Sequence, residues 1–224
     1  MKRMLSNPIL KDVIRIPVGP MKLVGDLSLP EDAKGLIIFA HGSSSSRLSP
    51  RNIYVSDILN YHHLATLLFD LLTEEEDSKI ANRFNVDLLS SRVNQAIDWA
   101  VKNKMLTDVD IGLFGASTGA AAALKASVDN AEHIKAVVSR GGRVDMAYPV
   151  LDQVKAPTLL IVGQNDSGVR EINEEAFLRL NCHKELAEVP HAGHLFEEPH
   201  ALERVAELAV SWFDKYLGAN NVSL

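Results

Sequence analysis

The segment Gly-Ala-Ser-Thr-Gly at residues 115–119 fits the pattern G-x-S-x-G, with Ser117 at its centre. An apolar run at residues 109–114 precedes it and an alanine-rich run at residues 120–123 follows, which predicts a strand, a sharp turn and a helix. At such a turn a serine hydroxyl sits on a strained backbone, and the helix N-terminus directs partial positive charge to the place where negative charge develops. We therefore predict that Ser117 is the nucleophile of an acyl-transfer reaction. The alternative is a plain Gly-Ser turn before a small-residue helix.

A serine hydroxyl is a weak nucleophile, so a base must take its proton and an acid must orient that base. Where this pattern is used, the chain order is serine, acid, histidine. His191 and His194 lie in a loop between the last predicted strand and the last predicted helix, where the base is expected. We prefer His194, because Gly193 frees the loop before it and the apolar pair Leu195 and Phe196 can anchor it. His191 remains the alternative.

Asp166 is the predicted acid. It follows the apolar run at residues 158–162, which is the predicted strand before the one that leads to the histidines. Asp145, after the strand ending at Ser139, is the reserve candidate. A simple turn-forming role is the alternative interpretation of Asp166.

The loop after the predicted strand at residues 35–40 indicates a third part of the same site. In sites of this kind one oxyanion-hole N–H comes from that loop and the other from the residue after the nucleophile. We assign these roles to the backbone N–H groups of Ser43 and Thr118, and we interpret His41 as a structural hydrogen-bonding residue. The histidines lack a compact metal-binding spacing, so we expect no metal and no other cofactor.

Four arginines follow predicted strands at the same edge of the sheet: Arg47, Arg51, Arg140 and Arg143. A guanidinium group can bind a carboxylate through two parallel hydrogen bonds. One hypothesis is that one or more of these arginines selects an anionic substrate. The alternative is surface charge and salt bridges that fix the loops.

The elements that must position these residues follow from the apolar pattern. Two strands at residues 12–18 and 21–29 are joined at Gly19-Pro20, which is short enough to make them antiparallel. Further strands are predicted at residues 35–40, 65–71, 109–114, 134–139, 158–162 and 185–189, with amphipathic helices at residues 85–104 and about 199–217. The gap between residues 139 and 158 is too short for an inserted lid domain. We expect one α/β domain over residues 1–224, with a mostly parallel sheet and helices on both faces.

The bulk composition is that of an ordinary soluble globular protein: 46% of residues are hydrophobic, 23% are charged and the net charge is −6. This charge disfavours binding to nucleic acid, and no apolar run is long enough to span a membrane. Lys2 and Arg3 are followed by Ser-Asn-Pro at residues 6–8, which argues against a secretory signal, and Cys182 has no partner for a disulfide. We expect a cytoplasmic protein with a small-molecule substrate.

With these residues in place, the chain resembles the dienelactone hydrolase-like branch of the α/β-hydrolases. The resemblance rests on the segments HGSSSSR at 41–47, FDLLTEEE at 69–76, FGASTGA at 114–120, VSRGGR at 138–143 and HLFEEP at 194–199. It implies the α/β-hydrolase fold, a triad at Ser117, Asp166 and His194, and acyl transfer to water. The name-giving enzymes use a cysteine nucleophile, whereas this chain has Ser117, so the family name does not imply the substrate.

Three functions follow as hypotheses. The first is an esterase, lactonase or thioesterase that works through an acyl-enzyme. The second is a binding or regulatory protein that keeps the fold without meaningful turnover. The third is acyl transfer to an acceptor other than water. Since one fold hosts many functions, the intact order of serine, acid and histidine is what favours the first.

Overall fold

A computed structural model describes residues 9–107 and 109–218. Residues 1–8, on which the expectation about a secretory signal depends, lie outside this description. The described strands are β1 (Ile9–Val18), β2 (Met21–Pro30), β3 (Gly35–Ala40), β4 (Leu64–Phe69), β5 (Asp110–Ala116), β6 (Ile134–Arg140), β7 (Thr158–Gly163) and β8 (Lys184–Val189). The α-helices are α1 (Pro50–Tyr61), α2 (Glu74–Asp77), α3 (Val86–Lys102), α4 (Thr118–Asp129), α5 (Ser167–Arg179) and α6 (Ala201–Tyr216).

The strands form one sheet in the order β1-β2-β4-β3-β5-β6-β7-β8. The hairpin β1–β2 is antiparallel, and β2 is also antiparallel to β4, whereas every pairing from β4 to β8 is parallel. All parallel strands therefore end at one edge of the sheet. The predicted α/β-hydrolase architecture, with its antiparallel N-terminal hairpin, is confirmed.

The sheet separates two apolar clusters, one on each face. One cluster includes Val93 of α3 and Leu124 of α4. The other includes Val55 of α1 and Phe213 of α6. Every residue of β3, β4 and β7 is buried, as expected for parallel strands covered on both faces. The prediction of helices on both faces is confirmed.

Helix α1 was not predicted, because its buried side carries polar residues instead of an apolar stripe. Asn52, Ser56 and Asn60 are buried there beside Val55 and Leu59. Burial of an amide requires hydrogen bonds. Asn60 Nδ2 meets this requirement by donating to the carbonyl oxygen of Leu64 at 3.1 Å and to Thr66 Oγ1 at 2.8 Å.

Two other predicted boundaries change. Helix α6 begins at Ala201 and not near residue 199, since His200 has a φ of 65° and cannot be a helical residue. Between β6 and β7 a 3-10 helix runs from Val144 to Gln153, and the described part of this connection holds no lid domain. In the described chain no helix has the length and apolar character needed to cross a membrane.

Candidate active site

Ser117 lies between β5 and α4 with a φ of 51° and a ψ of −122°. A non-glycine residue with positive φ stores backbone strain, and the surrounding structure must hold it there. The backbone N–H of Ser117 donates to the carbonyl of Arg140 at 3.1 Å, and its own carbonyl accepts from the N–H of Arg143 at 3.0 Å. The segment after β6 therefore holds the serine on both sides.

The two glycines of the motif allow this turn to pack. A Cβ on Gly115 would lie 2.4 Å from the Cα of Ala120, and a Cβ on Gly119 would lie 2.1 Å from the carbonyl oxygen of Ala40. Both distances are far below van der Waals contact. Helix α4 thus starts directly against the end of β3, and only glycine fits at these two positions.

His194 and Asp166 are hydrogen-bonded. His194 Nδ1 lies 2.7 Å from Asp166 Oδ2, and the two side chains are 39% and 17% exposed. An ionised carboxylate only accepts hydrogen bonds, so Nδ1 carries the proton and Nε2 is left as the proton acceptor. Asp166 is the N-cap residue of α5, but its side chain makes no capping hydrogen bond. Among the described residues, the Asp166 carboxylate therefore hydrogen-bonds only to His194.

Neither alternative residue forms a histidine–carboxylate pair among the described residues. His191 has positive φ, and its backbone N–H donates to Gln164 Oε1 at 2.9 Å while its carbonyl accepts from Asn165 Nδ2 at 2.8 Å. Asp145 accepts two hydrogen bonds of 2.9 Å from Arg143. The geometry favours His194 over His191 and Asp166 over Asp145.

Gly141 brings the histidine loop next to the serine. It directly follows Arg140, which binds the N–H of Ser117, and a Cβ built on it would lie 3.5 Å from His194 Nδ1. Gly141 has a φ of 53°, and because glycine has no side chain, the histidine ring can lie close to its backbone. Gly141 is thus next in sequence to the residue whose carbonyl binds Ser117 and lies beside the His194 ring, although no hydrogen bond joins the side chains of Ser117 and His194 in this structure.

The oxyanion loop lies against the nucleophile. A Cβ on Gly42 would come within 3.1 Å of Ser117 Cβ. Within the described residues, the backbone N–H groups of Ser43 and Thr118 donate to no other group. Two free N–H groups beside a nucleophile are the arrangement that stabilises a tetrahedral oxyanion.

His41 fixes the start of this loop. Its Nε2 accepts from the N–H of Leu71 at 3.0 Å, so Nδ1 is protonated and donates to the carbonyl of Gly42 at 2.9 Å. Burial lowers the pKa of His41 below its usual 6.5, against the opposing effects of the Gly42 carbonyl and Asp70. His41 is a neutral structural residue, as its position in the sequence indicated.

The four arginines do not act as one cluster. Arg47 forms ion pairs with Asp70 at 3.1 Å and with Asp26 at 3.2 Å, and Arg143 is held by Asp145, whose hydrogen bonds raise the pKa of that guanidinium. For these two, the alternative of loop-fixing salt bridges describes their contacts. Arg51 likewise pairs with Glu197 at 3.2 Å, whereas Arg140 forms no ion pair among the described residues and its Nε and Nη1 are buried without a hydrogen bond.

Two polar side chains that the sequence did not single out support the site. Glu198 Oε1 accepts from the N–H of Gly193 at 2.9 Å, and Asn173 Nδ2 donates to the carbonyl of Gly142 at 2.9 Å. The first steadies the histidine loop and the second the turn after β6. Their partners are main-chain groups, five residues away for Glu198 and 31 for Asn173, and a bond to a main-chain group leaves no pattern of residue types that could have identified it.

Within residues 9–107 and 109–218, no group of three or more His, Cys, Asp or Glu side chains converges as metal ligands would. The site holds a strained serine, a histidine bound to a carboxylate and two free N–H donors. These are the parts required to form and break an acyl-enzyme.

Comparisons with known proteins agree on the family. The family model described as "Dienelactone hydrolase family" matches residues 51–217. A crystal structure of a dienelactone hydrolase from Anabaena variabilis is 49% identical, has a TM-score of 0.90 and covers 93% of this chain and 99% of that one. Est1E from Butyrivibrio proteoclasticus is 18% identical with a TM-score of 0.78, covers 91% of this chain and 98% of its own, and shows the fold alone.

Two proteins of Mycobacterium tuberculosis, from strains CDC 1551 and H37Rv, are each 47% identical over 213 residues. Their names assign them provisionally to the phosphoribosyl transferases. The match covers 95% of this chain but 48% of each relative. The chain thus spans about half the length of the curated relatives it matches.

Proposed function

The chain belongs to the dienelactone hydrolase family, and from that premise we propose that it hydrolyses a small ester, lactone or thioester through an acyl-enzyme at Ser117. The observation that carries this proposal is the 2.7 Å hydrogen bond between His194 Nδ1 and Asp166 Oδ2, at the sheet edge where β5 ends in the strained Ser117. Structural serines and histidines do not require this combination.

In the first half-reaction, His194 Nε2 takes the proton of Ser117 Oγ as that oxygen attacks the substrate carbonyl carbon. The carbonyl oxygen becomes an oxyanion, which accepts hydrogen bonds from the N–H groups of Ser43 and Thr118. Asp166 stabilises the imidazolium that forms. His194 then gives its proton to the leaving oxygen or sulfur, and the acyl-serine remains.

In the second half-reaction, His194 Nε2 takes a proton from water, and the resulting hydroxide attacks the acyl carbon. The bond to Ser117 Oγ breaks as that oxygen recovers the proton, and the free acid leaves. The base must be neutral His194 at the start of both halves, and its hydrogen bond to Asp166 places the proton of the neutral ring on Nδ1, which leaves Nε2 as the acceptor.

The transferase name of the mycobacterial relatives does not enter this proposal. It belongs to proteins of which this chain spans about half, and the site at Ser117 gives it no support. Serine where the name-giving enzymes have cysteine also leaves dienelactone itself outside the proposal.

The test is labelling with a fluorophosphonate probe, followed by mass spectrometry to locate the adduct. We expect wild-type protein to label at Ser117 and the Ser117→Ala variant not to label there. His194→Ala removes the base and is expected to slow labelling by about 10²- to 10⁴-fold.

His191→Ala is the matched control, because it removes the same residue type from the same loop but leaves the bond to Asp166 intact. We expect it to label within about threefold of the wild-type rate, as a substitution away from the reacting atoms does. A folded protein that neither labels nor cleaves short p-nitrophenyl esters contradicts the proposal and favours the binding or regulatory protein. An adduct in His194→Ala at the wild-type rate, with loss in His191→Ala, would assign the base to His191.

A further inference from the structure

Three consecutive side chains after β7 bind the histidine loop. Asp166 binds His194 itself. The two residues before it, Gln164 and Asn165, both bind the main chain of His191. Gln164 Oε1 accepts from the N–H of His191 at 2.9 Å, and Asn165 Nδ2 donates to the carbonyl oxygen of His191 at 2.8 Å. Since a main-chain N–H only donates and a carbonyl only accepts, these two partners fix the orientation of both amides.

His191 needs this support, because its backbone is strained. Its φ is 61°, in the left-handed region that residues other than glycine rarely occupy. Within the described chain its imidazole makes no hydrogen bond or ion pair, so the side chain of His191 does not hold the residue in place. The two amides of the neighbouring turn do so instead.

Main-chain contacts bring the same two segments together. The N–H of Gln164 donates to the carbonyl of Val189 at 3.0 Å. The N–H of Asn165 donates to the carbonyl of Ala192 at 2.9 Å. A Cβ built on Gly163 would lie 2.4 Å from the carbonyl oxygen of Ala192, so the backbones approach more closely than a side chain would allow. The turn after β7 and the histidine loop are therefore packed directly against each other.

The two side-chain hydrogen bonds lie close to the acid and the base but on the surface. Gln164, Asn165 and His191 are all exposed, and exposed hydrogen bonds contribute little to the stability of a fold. Their position gives them another consequence. His191 comes three residues before His194, so a shift of its backbone moves the imidazole relative to the Asp166 carboxylate. Catalytic groups lose rate when they are displaced by even a fraction of their contact distance.

We propose that Gln164 and Asn165 are positioning residues for the base. Together they clamp the main chain of His191, and this clamp holds the imidazole of His194 against Asp166 with Nε2 free to accept a proton. The inference rests on the proposed hydrolase function and adds to it the residues that set the distance between acid and base. Neither residue touches the reacting atoms, because both act through the main chain of the histidine loop.

The first test is the rate of p-nitrophenyl acetate hydrolysis in Gln164→Met and Asn165→Leu, which keep the approximate size of each side chain but cannot form its hydrogen bond. We expect kcat to fall about 3- to 10-fold in each, the range for one net hydrogen bond. KM is expected to stay within about twofold, because His194 acts in both half-reactions and acylation and deacylation slow together. The double variant is expected to lose less than the product of the two effects, since both bonds hold His191.

Two further variants separate position from stability. Gln164→Glu keeps an acceptor for the N–H of His191 and is expected to retain kcat within about twofold. Asn181→Leu removes a similar exposed bond, from Asn181 Nδ2 to the carbonyl of Asp152 at 3.2 Å, before β8 and at the opposite end of that strand from the histidine loop. We expect Asn181→Leu and Asn165→Leu to change Tm by similar amounts, but only Asn165→Leu to lower kcat.

The second test reads the tautomer of His194 from long-range proton–nitrogen NMR spectra, at a pH where the imidazole is neutral. In the wild type the proton is expected on Nδ1, because Asp166 accepts it. In Gln164→Met and Asn165→Leu the ring is no longer held against the carboxylate, and we expect a mixture with the tautomer protonated at Nε2. The spectrum of His194→Ala assigns the signals. A change in stability alone does not alter this ratio.

The outcomes separate the clamp from the hydrolase. An active wild type whose kcat and tautomer are unchanged in both single variants keeps the hydrolase and overturns the clamp. A fall in kcat without a change of tautomer, or an equal fall in Asn181→Leu, also overturns it. If the wild type cleaves no ester but holds His194 in one tautomer that the variants release, the clamp is retained and the hydrolase is lost.

Discussion

Replacing Asp166 with asparagine tests the most specific contact of the site. The change keeps the size of the side chain and removes the negative charge 2.7 Å from His194 Nδ1. A neutral amide cannot stabilise the imidazolium, and its NH₂ group competes for Nδ1, which would move the proton to Nε2 and block its role as base. By comparison with other triads we expect kcat to fall about 10³- to 10⁴-fold, equivalent to about 4–5.5 kcal/mol of transition-state stabilisation.

The same substitution is expected to leave the fold intact. Asp166 is the N-cap of α5 but makes no capping hydrogen bond, so asparagine removes no support from that helix. We therefore expect the free energy of unfolding to change by less than about 1 kcal/mol. Urea denaturation measures this, and the hydrolysis of p-nitrophenyl acetate gives kcat.

Asp145→Asn is the matched control. It breaks a paired carboxylate at the same edge of the sheet, the one bound to Arg143, and is expected to keep kcat within about threefold, as for a partly exposed ion pair. If Asp166→Asn retains kcat within about tenfold of the wild type, a loss below 1.4 kcal/mol, the reasoning is refuted. A larger loss in Asp145→Asn would transfer the acid to that residue.

Two further predictions concern stability. Gly119→Ala places a Cβ 2.1 Å from the Ala40 carbonyl oxygen, and we expect it to lower the free energy of unfolding, measured in urea, by about 1–3 kcal/mol. Gly168→Ala is the control, because it lies in a helix where a Cβ meets nothing within 4 Å, and we expect it to raise that free energy by up to about 1 kcal/mol. Equal effects of the two substitutions would contradict the packing argument. Because burial lowers the pKa of His41 below 6.5, the unfolded chain takes up its proton first as pH falls. The contribution of neutral His41 to stability is thus complete above pH 6.5 and is lost as pH decreases toward the lower folded pKa. Denaturation between pH 8 and pH 5 is expected to show a shallower decline in His41→Gln than in the wild type, and identical declines would count against a buried neutral histidine.

The fold and the order of the proposed triad could be predicted because they depend on local patterns. Continuous apolar runs mark buried parallel strands, and the two glycines around Ser117 mark a turn that no other residue fits. The choice of His194 over His191 depended only on the types of its neighbours in the loop, a glycine before it and an apolar pair after it, whereas the structure supplies the contact with Asp166.

What could not be predicted depends on contacts between distant segments. Helix α1 has no apolar stripe, since its buried polar residues such as Asn60 are satisfied by the neighbouring strand β4. The four arginines look alike in the sequence. Arg47 differs from Arg140 in having two ion-pair partners, the aspartates at positions 26 and 70. These aspartates come close to Arg47 only once the sheet has formed.

The strand order has a consequence for the synthesis and folding of the protein. The turn at Ser117 follows β5, whereas Asp166 follows β7 and His194 follows β8, the strand at the far edge of the sheet. During synthesis, at about 5–20 residues per second, a nascent chain holds its serine for some seconds before any base can reach it. The reactivity of Ser117 would then appear only after the last strands have formed. A covalent probe added during refolding should therefore report the completion of β7 and β8 and not the formation of the turn at Ser117.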